Sequence, residues 1–475
     1  MTLLVPAALA GFPAEVHVSP QTVADATTNR VLIVLDDDPT GTQSVSNLPV
    51  LTQWQPQDFR WALDLGVPAI YVLTNTRSLD AADAAERNEQ VVSNALAAAG
   101  NHSLTFVSRS DSTLRGHFPL EPDVIARVLH ERAGIKTDGV VLVPAFPDAG
   151  RVTIGGVHYM RSADDELIPV ADTEFARDAS FGYSHSALAD YVEEKSAGRL
   201  VASSVIRLHL GIVRAGALAI AEALEPATGG TPIAVDAVTE NDLRVLALGL
   251  EESERRGKRF VYRVGPPFVR ARIGQAVREP LTSTDAFGDG TVVSGGGLIV
   301  VGSHVSMTTR QLAQLKHGHD SASVVEINVE ALLSAEPESH LETIVGRVVQ
   351  GLAGADVILQ TSRTLVSATD PVRSLQIART VSAAVVRVVQ EVMAHTRPRF
   401  VIAKGGITSS DVAALGLQIR HAMVRGPMLP GIVSLWEPMD GPATGIPYVV
   451  FAGNVGDEDS LLSVVRTLSA YTTKA

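Results

Sequence analysis

The chain contains no cysteine in its 475 residues. This absence excludes disulfide bonds, thiolate zinc sites, iron–sulfur ligation and a cysteine nucleophile together. Basic residues are also few, since 39 Lys and Arg stand against 52 Asp and Glu and give a formal net charge of −13. Nucleic acids and anionic lipids are bound through basic surface. We therefore expect no nucleic-acid partner and no membrane partner, while a local basic pocket for a small anion stays compatible with this charge.

Long apolar runs are missing as well. No stretch of about 18 or more uninterrupted apolar residues occurs, so no membrane span is predicted. The first residues, MTLLVPAALAGFPAEV, have the apolar character of a signal segment, but no Lys or Arg precedes Arg30. A secretory signal begins with positive charge. We interpret residues 1–29 as an N-terminal extension and expect a cytoplasmic protein.

Short apolar runs recur along the chain, and each is followed by a Gly-, Asp- or Ser-rich turn and then by a helical pattern. Such runs alternating with helices are typical of βαβ units, and buried parallel strands are apolar throughout. We predict an α/β fold. The predicted strands are Val31–Leu35, Ala69–Leu73, Leu104–Val107, Gly139–Val143, Ile233–Asp236, Phe260–Val264, Leu298–Val301, Val324–Ile327, Asp356–Gln360, Arg399–Ala403 and Tyr448–Phe451, and two long helices are predicted at Asp80–Ala99 and Pro371–Thr396.

The segment Leu281–Gly297 is rich in Gly, Ser, Thr and Asp and lacks an apolar period, which is typical of a linker. It divides the chain into two predicted domains, residues 30–285 and 290–475. We expect each to have a mainly parallel, twisted sheet flanked by helices, with the active site in the cleft between the domains, where such folds bind ligands.

The segment VLIVLDDDPTGTQ leads from a buried strand straight into three carboxylates. Adjacent carboxylates repel one another unless a cationic or protic group uses them. Asp37 or Asp38 could take a proton from a substrate hydroxyl or hold Mg²⁺ through oxygen. The alternative is an acidic turn in which Asp38 caps a helix, and the sequence does not decide between the two aspartates.

Two further loops carry arginines. In LTFVSRSDSTLRGH, a strand is followed by Arg109, Asp111, Ser112 and Arg115, and in GVVLVPAFPDAGRVTIGGVH a strand is followed by Arg151. Guanidinium groups grip carboxylate or phosphate in two-point contacts, so these residues indicate a small-anion site. The alternatives are a capped helix whose arginines pair with local acids and, for Arg151, a purely structural loop.

Three turns in the C-terminal part suit an anion, because glycines let the backbone approach, hydroxyls donate and helix N-termini favour phosphate. The chain has neither a P-loop motif nor a G-x-G-x-x-G turn, and ordinary βα loops with Ser/Thr caps are the alternative. The candidate nucleotide-binding residues are Gly302, Ser303, Lys404, Gly405, Gly406, Thr408, Ser409, Gly453, Asn454 and Gly456.

A polyphosphate site in one domain and a small-acid site in the other indicate phosphoryl transfer, which needs positioning, Mg²⁺ and an oriented hydroxyl. A non-catalytic sensor of a sugar acid or nucleotide is the rival hypothesis, and it has no need of an aspartate beside a substrate hydroxyl. An oxidoreductase is disfavoured, because the dinucleotide fingerprint is absent.

Together these motifs resemble the family of four-carbon acid sugar kinases, long catalogued as a domain of unknown function. The resemblance runs from about Val31 to the C-terminus. The motifs that carry it, in order, are Asp37-Asp38-Pro39-Thr40-Gly41, Asp111-Ser112-Thr113-Leu114-Arg115-Gly116, Pro144-Ala145-Phe146-Pro147 with Gly150-Arg151, Gly302-Ser303, Gly405-Gly406-Ile407-Thr408-Ser409 and Gly453-Asn454.

The resemblance implies that residues 30–285 bind a sugar acid such as threonate, erythronate or 3-oxo-tetronate, that residues 290–475 bind ATP with Mg²⁺, and that the terminal hydroxyl is phosphorylated. It implies that the DD-x-TG and DSTLRG segments contact the acid sugar and that the GG-x-TS and GN-x-G turns contact the nucleotide, and Asp37 and Asp38 are the candidate catalytic residues. The chain departs from the family pattern at Pro39, Ile407 and Phe451-Ala452, so a different small hydroxy acid is an alternative substrate. A homodimer is the default expectation, because two-fold dimers are the commonest assemblies.

Overall fold

The computed structural model describes residues 4–27, 30–162, 164–288, 294–334, 337–363 and 371–470. The chain divides into two compact units. The first comprises Met1–Val45 and Trp54–Val277, and the second comprises Ser46–Gln53 and Arg278–Ala475. The sequence predicts a division at residues 285–290 and an N-terminal extension at residues 1–29. No sequence pattern indicates that the short segment Ser46–Gln53 belongs to the second unit.

The strands are numbered in chain order. They are β1 Arg30–Asp36, β2 Leu48–Leu51, β3 Ala69–Leu73, β4 Ser103–Arg109, β5 Gly139–Val143, β6 Arg151–Ile154, β7 Val157–Arg161, β8 Leu167–Pro169, β9 Ile206–Leu208, β10 Thr231–Val235, β11 Phe260–Val264, β12 Leu298–Val301, β13 Ser323–Ile327, β14 Val357–Thr361, β15 Val401–Lys404, β16 His421–Leu429, β17 Ile432–Pro438 and β18 Tyr448–Phe451.

The α-helices follow the same numbering. They are α1 Val5–Leu9, α2 Pro20–Ala26, α3 Pro56–Asp64, α4 Ala81–Ala98, α5 Leu120–Ala133, α6 Leu188–Lys195, α7 Leu210–Val213, α8 Ala217–Leu224, α9 Glu240–Arg255, α10 Pro266–Arg272, α11 Ser283–Phe287, α12 Ser306–Gly318, α13 Val329–Leu332, α14 Pro337–Leu352, α15 Pro371–His395, α16 Gly406–Asp411 and α17 Ser460–Ser469.

The first unit is built on a parallel sheet. Its seven described strands lie in the order β3-β1-β4-β11-β5-β10-β9, and every neighbouring pair is parallel. Apart from β9, these strands are mainly apolar and buried along most of their length, as expected for a sheet covered on both faces. The register sets Asp36 of β1 opposite Arg109 of β4, so the two polar strand ends predicted to carry chemistry are direct neighbours.

A smaller antiparallel sheet accompanies this unit. Its strands lie in the order β6-β7-β8. The segment was not predicted as strands, because each is short and mixed in polarity. The chain that follows, from Val170 to Arg177, forms two 3₁₀ helices. The small sheet supplies Arg151 from β6 and His158 from β7 to the candidate site.

The second unit has a mixed sheet. Its described strands lie in the order β13-β14-β12-β15-β18-β17-β16-β2, parallel from β13 to β18 and antiparallel from there on. Lys404 of β15 lies between Val301 of β12 and Phe451 of β18 in register. The polar ends of these three strands therefore lie side by side.

The sequence prediction of an α/β fold with two domains and mainly parallel sheets flanked by helices is confirmed. Among the described residues, no helix has the length and apolar character needed to cross a membrane.

Candidate functional site

The acid trio that follows β1 begins with a buried ion pair. Asp36 is 1% exposed and pairs with the Arg109 guanidinium at the end of β4. Burial raises the pKa of Asp36 to about 7. Arg109 is also buried, and its Nη2 donates to the Asp38 carbonyl at 2.6 Å. Arg109 was predicted to bind substrate, but its guanidinium is occupied in holding the turn that carries the trio.

Asp37 is buried against a second arginine. Arg77 Nη2 lies 2.6 Å from Asp37 Oδ1, and Arg77 Nε lies 3.2 Å from Oδ2. The Asp37 side chain is 2% exposed, and burial raises the pKa of its carboxyl group. Both oxygens are therefore engaged, and little of this carboxylate faces solvent.

Asp38 is the accessible member of the trio, with 21% of its side chain exposed. Its Oδ1 accepts the backbone N–H of Thr40 at 2.9 Å and the Thr40 hydroxyl, while Oδ2 lies 3.5 Å from Arg77 Nη1. Burial alone would raise the pKa of Asp38, but the charges of Arg77 and Arg109 and the bonds from Thr40 outweigh it and lower the pKa. Asp38 thus offers an ionised carboxylate with one loosely held oxygen.

The glycine of this turn is required by close packing. A Cβ at Gly41 would overlap the Asp36 carboxylate and the Arg109 guanidinium. The backbone can cross above this ion pair only without a side chain. A glycine is therefore needed at position 41 to make room for the Asp36–Arg109 ion pair.

The loop after β4 is organised around Asp111. Arg115 Nε lies 2.6 Å from Asp111 Oδ2, which also accepts the Thr113 hydroxyl. Burial would raise the pKa of Asp111, but the charges of Arg77 and Arg115 hold it well below its usual range. Asp178 lies 3.6 Å from Arg115 Nη1. Two carboxylates therefore already balance the charge of Arg115.

Three side chains from outside this loop hold three consecutive backbone carbonyls within it. His158 Nε2 lies 2.7 Å from the Ser112 carbonyl, Tyr183 donates to Thr113 O at 2.7 Å and Tyr191 donates to Leu114 O at 2.8 Å. Burial lowers the pKa of His158 to about 4, so its ring is neutral and donates through Nε2. These anchors were missed because nothing in the sequence spacing links them to the loop.

Arg151 stands apart from the other arginines. Burial lowers its pKa, and the charges that act on it come from Asp111 and Arg115. Its Nη1 donates to the Ala149 carbonyl, and its buried Nε has no hydrogen-bond partner. Within the described part of the chain, no carboxylate forms an ion pair with it. Arg151 is thus a partly desolvated cation that feels the charge of Asp111, and its Nε–H has no hydrogen-bond partner.

A further buried network beneath the site was also missed. Glu121 accepts hydrogen bonds from Thr76, Ser108 and Arg263. A Cβ at Gly116 would lie 2.8 Å from Arg263 Nη2 and 3.0 Å from Asp37 Oδ2. The polar residues after β3, including Arg77, could have been found by the same strand-end rule that found the other loops.

The second unit brings its predicted turns together at the ends of β12, β15 and β18. A Cβ at Gly405 (φ +125°) would lie 3.0 Å from Ser303 Cβ and 3.1 Å from Thr408 Oγ1, and one at Gly453 would lie 2.8 Å from Ser303 Oγ. A Cβ at Gly302 would overlap the Thr408 hydroxyl. The three turns therefore form one cluster with closely spaced backbones.

Residues of α12 and the segment after β14 tie this cluster together. Thr308 donates to the Gly453 carbonyl at 2.8 Å, and Arg363 Nη1 donates to the Ser303 carbonyl at 2.7 Å. Burial lowers the pKa of Arg363. Neither residue was predicted, since neither belongs to a glycine-rich turn.

The remaining predicted residues differ in exposure. Ser409 is buried and donates to the Ala403 carbonyl at 2.7 Å, so its hydroxyl is engaged within the fold. Gly406 begins α16. Asn454 and Gly456 lie on the exposed side of the last turn, where Gln311 Nε2 donates to the Val455 carbonyl at 3.0 Å.

Lys404 does not reach the surface. Its side chain is fully buried, its Nζ lies 3.8 Å from the centroid of the Phe451 ring, and it donates to the Ala452 carbonyl. Burial lowers the pKa of this amine to about 7. The sequence predicted direct contact with a nucleotide, but in the structure the ammonium contacts the backbone of the neighbouring turn.

Among the described residues, no group of three or more His, Cys, Asp or Glu side chains is arranged to hold a metal ion. The acid trio was a candidate for Mg²⁺, but arginines hold its first two members. The donor set therefore does not fit a resident metal held by protein alone.

Two models of protein families match most of the chain. A model described as a sugar-binding N-terminal domain matches residues 32–272, and one described as a nucleotide-binding C-terminal domain matches residues 298–461. A D-erythronate kinase from Heliobacterium modesticaldum is 30% identical over 293 residues, which cover 61% of this chain and 60% of the kinase. The chain thus aligns with about three fifths of that relative.

Two solved structures have the same fold. A protein from Salmonella typhimurium LT2 superposes with a TM-score of 0.66 at 18% identity, covering 92% of this chain and 98% of the other. A Haemophilus influenzae protein from a family catalogued as a domain of unknown function has a TM-score of 0.62 at 18% identity, covering 92% and 100%. The two domain matches occur in the order that the motifs predicted, and the chain belongs to the four-carbon acid sugar kinase family.

Proposed function

We propose that this chain is an ATP-dependent kinase that phosphorylates a four-carbon sugar acid, of the threonate, erythronate or 3-oxo-tetronate type, at its terminal hydroxyl. The observation that carries the proposal is that the unit matched by a sugar-binding model contains both an accessible carboxylate, Asp38, and a cation without an ion-pair partner among the described residues, Arg151. A substrate with a hydroxyl at one end and a carboxylate at the other matches these two groups.

Arg151 would bind the substrate carboxylate. Charge-assisted bonds from guanidinium to carboxylate are among the strongest hydrogen bonds in proteins. Arg151 is partly desolvated, which strengthens such a contact. Arg115, by contrast, already faces Asp111 and Asp178, so we assign it the task of holding the loop that shapes the site.

Asp38 would orient the terminal hydroxyl and accept its proton. As the hydroxyl oxygen attacks the γ-phosphorus of ATP, the new P–O bond forms, the bond to the bridging oxygen of ADP breaks, and the hydroxyl proton passes to Asp38 Oδ2. Positioning and charge neutralisation supply most of the catalysis in such transfers. Asp37 holds Arg77 beside Asp38 and acts as a positioning residue.

The nucleotide would bind at the turns after β12, β15 and β18, in the unit matched by a nucleotide-binding model. Glycines at 302, 405 and 453 let the three turns approach one another closely, and helix N-termini favour anions. Mg²⁺ would enter with the nucleotide as Mg-ATP, as part of the substrate rather than as a resident metal.

The test is release of ADP from Mg-ATP in the presence of a panel of tetronates, 3-oxo-tetronates and longer aldonates. Turnover with one four-carbon acid is expected. Turnover with only a longer acid would assign a different substrate. No turnover with any acid, while nucleotide still raises the Tm, would contradict the kinase and favour a sensor.

A further inference from the structure

The buried amine of Lys404 is unusual in its surroundings. An ammonium has three donors and no acceptor, yet the contacts of Lys404 within the described residues are a single carbonyl, that of Ala452, and the face of Phe451. A buried cation is normally paired with a carboxylate, because desolvation is costly. No ion pair joins Lys404 to any described carboxylate.

The described residues of the elements around Lys404 form no ion pair with it. β12 sets Val301 beside it and β18 sets Phe451 beside it. The titratable groups of the packed elements are otherwise engaged: Asp411 accepts from Ser382, Tyr448 donates to the Ser409 carbonyl and His304 contacts Thr361. Burial is the cause of the lowered pKa of Lys404.

The contact with Ala452 determines which way a peptide faces. In a trans peptide the carbonyl and the next N–H point in opposite directions. Because the Ala452 carbonyl points to the buried Lys404 Nζ, the N–H of Gly453 points away from it. A carbonyl that accepts a hydrogen bond from a cation also makes the N–H of the same peptide a stronger donor.

We propose that Lys404 is a positioning residue that orients the Ala452–Gly453 peptide for an anion, and that binding of a nucleotide polyphosphate at this turn is coupled to protonation of the Lys404 amine. The inference rests on the proposed nucleotide site and deepens it. The negative charge of a bound phosphate would stabilise the protonated amine of Lys404, for which the described residues provide no carboxylate partner. Nucleotide binding would therefore shift the Lys404 amine toward its protonated form.

Thr308 provides a matched control. It donates to the carbonyl of Gly453, the residue after Ala452, at 2.8 Å and is equally buried, but it carries no charge. Thr308→Val removes a bond to this turn and leaves the Lys404 amine in place. It separates loss of turn geometry from loss of a titrating group.

The experiment is calorimetric titration of the full chain with Mg-ADP at about pH 8, in buffers of different ionisation enthalpy, where an amine with a pKa near 7 is mostly neutral. The wild type is expected to take up part of a proton on binding. Lys404→Met should lose this uptake and bind about tenfold more weakly, a change of about 1.4 kcal/mol. Thr308→Val should bind more weakly with its uptake unchanged.

Binding without proton uptake in the wild type would overturn the proposal, and so would equal uptake and affinity in Lys404→Met. Lys404→Gln serves as a second neutral variant if the Met chain does not fold. A wild type that binds no nucleotide at any pH would instead remove the proposed nucleotide site, and the inference with it, so the two failures are distinguishable.

Discussion

The adjacent aspartates of the trio give the sharpest test of the site, because two isosteric changes one residue apart should have different effects. Asp38→Asn removes the accessible carboxylate that is assigned to the substrate hydroxyl. Asp37→Asn removes a carboxylate whose ion pairs, among the described residues, are with Arg77 and Arg109. Volume and backbone are conserved in both variants, so the comparison isolates the charge at each position.

The magnitudes follow from the surroundings of each group. Loss of a positioned acid–base group costs about 10²–10⁴-fold in rate, and we expect this loss in kcat for Asp38→Asn with the KM for the acid little changed. Its pair with Arg77 is loose and partly exposed, so the free energy of unfolding should fall by only about 1 kcal/mol.

Asp37→Asn should lower the free energy of unfolding more than Asp38→Asn does, by up to about 3–5 kcal/mol, because it removes one partner of a buried ion pair with Arg77. Turnover should fall less than in Asp38→Asn, because the effect acts through the placement of Arg77. Steady-state kinetics and urea unfolding of both variants measure these effects. Near-normal kcat in Asp38→Asn together with abolished turnover in Asp37→Asn would refute the assignment.

Three further outcomes are expected. Arg151→Ala should raise the KM for the acid about 10–100-fold, because a charge-assisted contact of about 1.5–3 kcal/mol is lost, and should leave the KM for ATP unchanged. An equal change in both constants would contradict the proposed role of Arg151. Arg115→Ala is the comparison variant. Lys404→Met should change the pH dependence of stability. Between the folded pKa of about 7 and the unfolded value of 10.5, the amine is protonated in the unfolded chain but not in the folded chain. The free energy of unfolding of the wild type should therefore rise by up to about 1.4 kcal/mol per pH unit as the pH increases. Urea unfolding at several pH values should show no such rise in the variant, and parallel curves for the two proteins would contradict the prediction. Gly41→Ala should lower both Tm and turnover, because its Cβ would overlap the Asp36–Arg109 pair; a wild-type Tm would contradict the packing argument.

Sequence patterns were sufficient for every described parallel strand except β9, which is only three residues long and has Arg207 at its centre. The bounds predicted for Ala69–Leu73, Phe260–Val264 and Tyr448–Phe451 are those of β3, β11 and β18, because fully buried strands are continuous apolar runs bounded by turns. Asp80 caps α4, accepting the N–H groups of Ala82 and Asp83. These signals are local, and each is complete within about ten residues of chain.

What the sequence did not predict depends on long-range pairing. β16 and β17 form an antiparallel hairpin that pairs with β2, more than 350 residues away along the chain, and no local pattern encodes that partner. The same limit applies to side chains. Arg109 and Lys404 were placed at the right strand ends, but whether a cation faces a ligand or a buried partner depends on neighbours such as Asp36 and Phe451, which only the fold brings together.

The most direct measurement is the identity of the product. A reaction of the protein with Mg-ATP and the acid that gives turnover should be followed by ³¹P NMR, with Asp38→Asn as the control. The account predicts a new phosphate monoester whose phosphorus couples to the methylene protons of the terminal carbon, absent from the reaction of the variant. A phosphate on an internal carbon, or ATP hydrolysed to inorganic phosphate with the acid unchanged, would contradict it.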